Sequence, residues 1–354
     1  MRIKHLLFMA ATAMFAFSAC EDPESLNGND PANNGNGNGQ DSTKVTNFWY
    51  TYGFMPGGIK TIESEDYAET YDAKGRLISI EAPYGNTTVT YNEQGLPAQS
   101  VSEEGQGQDQ ITTTTTFEYA NTGKFCPAPM GPGSVFHVFQ QGLVPGLSKV
   151  TINNHPYYGD VVMEYNFSGD KLTIVTTGGT VLNEQLERVP AEWEDIEVEY
   201  KGAYPNRIIT EHEFIGPLTY QDNGMFDTYI EGFFSWDTLY PGFVTQRKTY
   251  TVSKSRQDKM LTEKEVIEWY NEGEASAYGV QTIIHTYNEH GDEIKTVETN
   301  TGDYGEDYQT TYEYEYDAKG NWTKSTSTFI RTRPNDDTNP EPRVYVNERT
   351  ITYY

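Results

Sequence analysis

From about residue 45 onward, hydrophobic and polar positions along the chain alternate in runs with a period of two. Tyr312, Tyr314 and Tyr316 alternate with Glu313 and Glu315, and Val161, Met163, Tyr165 and Phe167 alternate with Val162, Glu164 and Asn166. Ile196, Val198 and Tyr200 do the same with Glu197 and Glu199. Successive side chains of a strand point to opposite faces, so this rhythm predicts a sheet with one buried and one wet face. The runs are punctuated by a recurring grammar of tyrosine, Asp or Asn, two free positions and glycine. It occurs at Tyr71-Asp72-Ala73-Lys74-Gly75, Tyr91-Asn92-Glu93-Gln94-Gly95, Tyr165-Asn166-Phe167-Ser168-Gly169, Tyr287-Asn288-Glu289-His290-Gly291 and Tyr316-Asp317-Ala318-Lys319-Gly320. The expected mechanics are those of a hairpin. The tyrosine ends a strand on the buried face, the Asx side chain bonds the backbone ahead of it, and the glycine takes the left-handed position that closes the turn with a bulge. Tyr119 to Gly123 and Tyr220 to Gly224 read as looser copies, and Leu77, Leu172, Ile294 and Trp322 as the starts of return strands.

The predicted class is therefore all-β, an antiparallel meander of consecutive hairpins. At roughly 8 to 10 residues per strand with its turn, residues 45–354 supply about 16 to 22 strands, and sheets above about 10 strands curl, split or close. A large curved sheet or a closed barrel is expected. A membrane-spanning barrel is disfavoured, because the positions opposite the tyrosines carry Glu, Thr, Lys and Asn where an apolar outer band is needed. Two segments break the meander. Lys124 to Leu147 holds Pro127, Pro129, Pro132 and Pro145 and reads as a long loop or plug. Gly224 to Val244 is dense in aromatics. Leu261-Thr262-Glu263-Lys264-Glu265-Val266 has the capping box of a helix, yet strand is the better assignment because the neighbouring grammar is all hairpin.

Tyr71 to Leu77 (Tyr-Asp-Ala-Lys-Gly-Arg-Leu) and Tyr316 to Trp322 (Tyr-Asp-Ala-Lys-Gly-Asn-Trp) resemble the YD repeats of Rhs-type proteins. The resemblance implies successive antiparallel hairpins in a broad curling sheet or shell, extending loosely over residues 45–354. The repeats are few and unevenly spaced, so a strict solenoid is not implied, nor is the toxin-delivery role of large Rhs proteins. The chain looks more like secreted bacterial lipoproteins with degenerate YD repeats and a large porin-like sheet.

The N-terminus gives the address. Arg2 and Lys4 precede a short apolar run from Leu6 to Phe17, with Ser18 and Ala19 before Cys20. Residues 1–19 thus read as a signal peptide, and the run is too short to span a bilayer, which needs about 20 residues. Phe17-Ser18-Ala19-Cys20 resembles the lipobox of bacterial lipoproteins, which implies lipidation of Cys20. The following Glu21-Asp22 resembles a surface-export signal, so an outer-membrane lipoprotein on the cell surface is expected. Residues 20–44, rich in Asn and Gly, form a tether with too little apolar surface to order itself. Residues 45–354 are then the folded domain. With Cys20 lipidated, Cys126 has no partner for a disulfide. The chain carries 52 acidic against 25 basic residues, a formal charge of −27, which argues against nucleic acid as a partner and leaves membrane attachment to the lipid.

No catalytic signature emerges. Ser134 lacks the second glycine of a nucleophile elbow, and Cys126 with His137 in a proline-rich loop reads as an inert thiol. The histidines have no zinc spacing, and no cofactor is expected. Calcium has two acidic turns to consider, Asp303-Glu306-Asp307 and Asn335-Asp336-Asp337, but solvated loops explain both. Glycoside hydrolysis needs two positioned carboxylates, which sequence alone does not nominate. The aromatic segment is the best candidate contact. Phe233, Phe234, Trp236 and Tyr240 interleave with Asp237, and flat rings beside carboxylates suit a sugar, although rings of this kind also fill cores. The sequence thus supports a non-enzymatic β scaffold binding an extracellular glycan or protein ligand. A carbohydrate-active hydrolase and a purely structural envelope protein are the alternatives, and the oligomeric state is left open.

Overall fold

The computed structural model describes residues 58–83, 85–105, 110–127, 143–183, 186–210, 213–220, 226–234, 243–252, 261–271, 273–301, 306–333 and 341–354. The signal segment, Cys20 and the tether lie outside them. Among the described residues, twenty-two strands join in one antiparallel sheet. Ile59–Ser64, Tyr67–Tyr71, Leu77–Ala82, Gly85–Tyr91, Pro97–Glu104 and Ile111–Tyr119 pair in succession. Leu147–His155 resumes the ladder beside Ile111–Tyr119, followed by Gly159–Ser168, Lys171–Gly178, Ile196–Lys201, Tyr204–Ile209 and Glu213–Ile215. Phe226–Phe234, Val244–Val252, Thr262–Tyr270, Ala277–Tyr287, Glu293–Thr301, Asp307–Tyr316 and Trp322–Arg333 complete the meander. The stretch at 262–270 is strand, so the capping-box signal there is overridden by pairing on both sides.

The sheet nearly closes on itself through one divided strand. Arg343–Glu348 pairs with Trp322–Arg333, and after Arg349 the chain continues as Thr350–Tyr353, which pairs with Ile59–Ser64 at the other end of the meander. Arg349 sits buried at the changeover. Its Nε donates to the Trp322 carbonyl at 2.7 Å, and its guanidinium lies 3.6 Å from the centre of the Trp322 ring. The hydroxyl of Tyr354 reaches the Tyr71 carbonyl at 2.5 Å, which ties the last residue to the first repeat.

Four of the five motif turns share one set of hydrogen bonds. The Asp72 carbonyl accepts from Gly75 N–H at 2.9 Å, while its Oδ1 accepts from the amides of Lys74 and Arg76 at 2.9 and 3.0 Å. The same bonds recur at Asn92, Asn288 and Asp317. Asp and Asn are interchangeable here because the turn needs only an sp² oxygen two atoms from the backbone. Gly75, Gly95, Gly291 and Gly320 have φ between +75° and +81°, and each motif tyrosine sits at a bulge in the ladder.

The fifth copy is a different turn, which corrects the sequence reading. Asn166 pairs with Thr173 inside the strand, and Ser168 still pairs with Lys171, so the loop is only Gly169 and Asp170. Gly169, at φ +63°, opens a two-residue hairpin. Phe167 in place of a small turn residue explains the change. It pairs with Leu172 and packs on the apolar cluster, so the strand runs through it. Tyr119 to Gly123 is likewise no hairpin. Tyr119 pairs with Leu147 and the chain leaves the sheet there.

The excursion was expected as a long loop or plug, and its described ends pack on the sheet. Phe125–Pro127 and Leu143–Pro145 pair with each other as a separate two-stranded ribbon. Phe125, Cys126, Leu143 and Val144 pack into one cluster with Val150, Val161, Met163, Leu172, Ile174, Val198 and Ile208 of the main sheet. The ribbon therefore covers one face of the strands between residues 147 and 215. Phe125 N–H bonds the Ala203 carbonyl at 2.8 Å, its ring stacks on Tyr204 at 4.8 Å, and Tyr165 OH donates to Pro127 at 3.1 Å. The opposite face of those strands is polar, with Asp160, Glu164, Asn166, Ser168 and Glu197 exposed, and so lacks the apolar band of a lipid-facing barrel.

Candidate functional site

Strands that alternate in direction put every second turn at the same end. The motif turns at 72–76, 92–96, 169–170, 288–292 and 317–321 consequently gather at one rim, where tyrosines stitch neighbouring hairpins together. Tyr91 OH donates to the Leu77 carbonyl, Tyr119 OH to Pro97 and Tyr314 OH to Glu293, at 2.7, 2.7 and 2.8 Å. In each case the acceptor lies two residues beyond a motif glycine. Elsewhere the hydroxyl bridges the two Asx positions of the adjacent turn. Tyr316 OH donates to Asp292 (2.8 Å) and accepts from Asn288 (2.6 Å), while Tyr353 OH donates to Asp317 and accepts from Asn321. Acid and amide have exchanged places between the two turns without loss of either bond. In the first repeat Arg76 pairs with Asp72 at 2.6 Å and covers the Tyr91 ring. Burial pushes the Asp72 carboxyl up, but the bonds from Arg76 and the turn amides outweigh it and hold its pKa below the ordinary value. These motif residues form a structural rim with no site among them.

The inner face beyond the plug is different. Following the register from Glu231, one rung reads Glu231, Lys248, Ile267, Gln281 and Asn300. The next reads Tyr250, Glu265, Ile283, Glu298, Tyr308 and Arg331. A third reads His285, Thr296, Thr310, Phe329 and Arg343. Their polar groups are knitted across strands. Glu231 is buried and takes Tyr250 OH at 2.8 Å and Lys248 Nζ at 3.4 Å. His285 lies between Glu293, on Nδ1, and Glu265, 3.3 Å from Nε2. Burial draws its imidazole down, yet the bonds and charges of the two glutamates win and raise its pKa to about 9. Gln281 bonds Glu298 at 2.5 Å. Glu213 lies on the same face, and burial first, then Glu194 and Glu231, push its pKa up to about 7.

The residues singled out from sequence distribute as follows. Phe233 pairs with Glu213 and Gln246 on this inner face. Phe234 turns to the other face, where its ring lies 5.2 Å from Phe214, itself seated over Gly232. The two phenylalanines therefore do not make one platform. Trp236, Asp237 and Tyr240 lie outside the described residues, as do Asp303 and residues 335–337. Asp307 accepts the Asn300 amide and Glu306 accepts from Tyr308 and Arg331, so both carboxylates already serve the fold. Among the described residues, no group of three or more His, Cys, Asp or Glu is placed to hold a metal ion. Cys126 is fully buried, its thiol pushed up to about 12 by desolvation, which leaves no thiolate for chemistry. The polar residues Glu265, Gln281, His285 and Glu298 at alternate strand positions were the available signal for the wall. Sequence could not say which face lay inside.

No family model matches the chain, and no curated protein matches it. Among solved structures it is similar to a porin-like protein from Bacteroides uniformis ATCC 8492, with 11% identity, 86% of this chain and 100% of that one covered, and a TM-score of 0.33. A porin-like protein from Bacteroides vulgatus ATCC 8482 has 9% identity, 84% and 98% coverage and a TM-score of 0.21. The Photorhabdus luminescens Tc holotoxin pore has 11% identity over 78% of this chain but 16% of that one, at a TM-score of 0.19. Likeness at this level carries no argument about function.

Proposed function

We propose that this chain is a surface lipoprotein, anchored through Cys20, whose β scaffold holds an extracellular glycan against the inner wall formed by residues 231–331. The observation that carries the reading is the polar wall itself, which no ribbon covers among the described residues. Three adjacent rungs offer carboxylates, amides and hydroxyls, interrupted by Ile267, Ile283 and Phe329. Alternating hydrogen-bonding and apolar positions complement a sugar, which has both hydroxyls and a flat apolar face. The net charge of −27 favours ligands that are not polyanions.

The test is a glycan array probed with the full-length protein and with its Tyr312→Ala variant, Tyr312 standing two residues from Thr310 on the same face. Selective binding that Tyr312→Ala weakens supports the wall as the site. Loss in Trp236→Ala alone would move the contact to residues 224–244, and no binding to any glycan would refute the reading. Lipidation is checked separately, by loss of detergent-phase partitioning in Cys20→Ala. A hydrolase is the second reading, favoured by one observation. Glu213 is raised toward neutrality beside Glu231, which Lys248 and Tyr250 hold, and a pair of carboxyls in unlike environments is what general acid catalysis needs. Turnover of a polysaccharide abolished by Glu213→Gln would establish it.

A further inference from the structure

The rungs of the inner wall end at the rim opposite the motif turns in an open pocket of ≈ 170 Å³ lined by Tyr308, Phe329, Arg331, Glu341 and Arg343. Register explains the convergence. Tyr308 pairs with Arg331 and Phe329 with Arg343, and Phe329 and Arg331 are two apart on one strand, so all four side chains share a face. The Tyr308 and Phe329 rings stack at 5.1 Å with 29° between their planes, giving the pocket an aromatic wall of two rings. Glu306 fixes the polar side by accepting from Tyr308 OH at 2.6 Å while lying 3.0 Å from Arg331 Nε. That leaves the terminal nitrogens of Arg331, and the whole guanidinium of the exposed Arg343, to face a ligand. In a chain with twice as many acids as bases, two guanidiniums flanking one aromatic wall depart from the general composition.

Resting on the glycan reading above, we infer that this pocket takes a sugar residue bearing a single carboxylate, a uronic acid, with its ring against Tyr308 and Phe329 and its carboxylate on Arg343 and Arg331. Guanidinium matches a planar carboxylate through paired N–H donors, which lysine cannot do. Glu341 on the same pocket offsets part of the positive charge and works against doubly charged phosphate groups.

The test is calorimetric titration of the full-length protein with galactose oligosaccharides that carry one terminal galacturonate and with neutral galactose oligosaccharides of equal length. The acidic ligand is expected to bind at least about tenfold more tightly, and Arg343→Gln to remove most of that preference. Arg343 is exposed, so folding of the variant is not at stake, and its thermal unfolding serves as the control. Equal affinity for acidic and neutral oligosaccharides, or a preference unchanged in Arg343→Gln, would overturn the inference while leaving the glycan reading intact. Acetate displacing the oligosaccharide at matched concentration would reduce the pocket to an anion site and overturn it too. Absence of binding to either saccharide would count against both.

Discussion

The rung Phe167, Leu172, Val198, Ile208 and Ile215 is apolar at every position, and its direct continuation, Glu231, Lys248, Ile267, Gln281 and Asn300, is polar at all but one. The same backbone ladder runs through both halves. What differs is the cover. The first half faces the ribbon of residues 125–127 and 143–145, and its inner side chains are mostly buried, with Phe167 partly so. The second half has no ribbon among the described residues, and its inner positions are mostly half-buried. An apolar rung needs a partner surface to be stable in water, whereas a polar rung can be solvated or bind a polar ligand. Among the described residues the larger hydrophobic cluster therefore lies in the half that the ribbon covers.

The largest effect should come from the covered half. Met163 is fully buried in the cluster, and Met163→Ala is expected to cost about 2–5 kcal/mol in chemical denaturation. Ile283→Ala, at the corresponding place in the open half, should cost clearly less, and equal costs would erase the distinction drawn above. The rim common to both halves comes next. Gly320→Val forces a branched residue to φ +81° and should cost about 1–3 kcal/mol. Tyr316→Phe removes the donor to Asp292, which is 1% exposed, and should cost about 1–3 kcal/mol. A smaller and specific effect concerns His285. Its folded pKa of about 9 exceeds the ordinary 6.5, so its contribution is complete below about pH 6.5 and is lost as pH rises through about 9. Thermal unfolding followed from pH 6 to pH 10 should show this loss in the native chain and a shallower slope in His285→Gln. Lys74→Ala should change almost nothing, since Lys74 contributes its amide to the turn and its side chain is exposed.

Much of the rim was legible because its cause is local. Asx and glycine at fixed spacing satisfy the turn amides within five residues, and no distant contact is needed to make Asp72 or Asn288 bond the chain ahead. The miss at Asn166 has a physical reason in the same terms. Phe167 offered the chain a packed strand position, and burial of that ring outweighed the turn chemistry of its neighbour. The aromatic segment was read too simply for a related reason. Phe233 and Phe234 are adjacent, and in a strand adjacency means opposite faces, so one ring joined the inner wall and the other packed on Phe214.

The sequence by itself determined the class and the residues of four of the five motif turns, because period-two alternation and turn chemistry act over a few positions. It also marked the proline-rich excursion as a break in the meander, although its described ends pair as a separate two-stranded ribbon. Only the tertiary structure decided which face is inner, where the ribbon lies down and which carboxylates meet. Those outcomes depend on the register of strands far apart in sequence, as when Thr350–Tyr353 returns to Ile59–Ser64. Alternation alone is satisfied equally well with either face inward. The ribbon breaks that symmetry by burying the apolar face of the strands between residues 147 and 215.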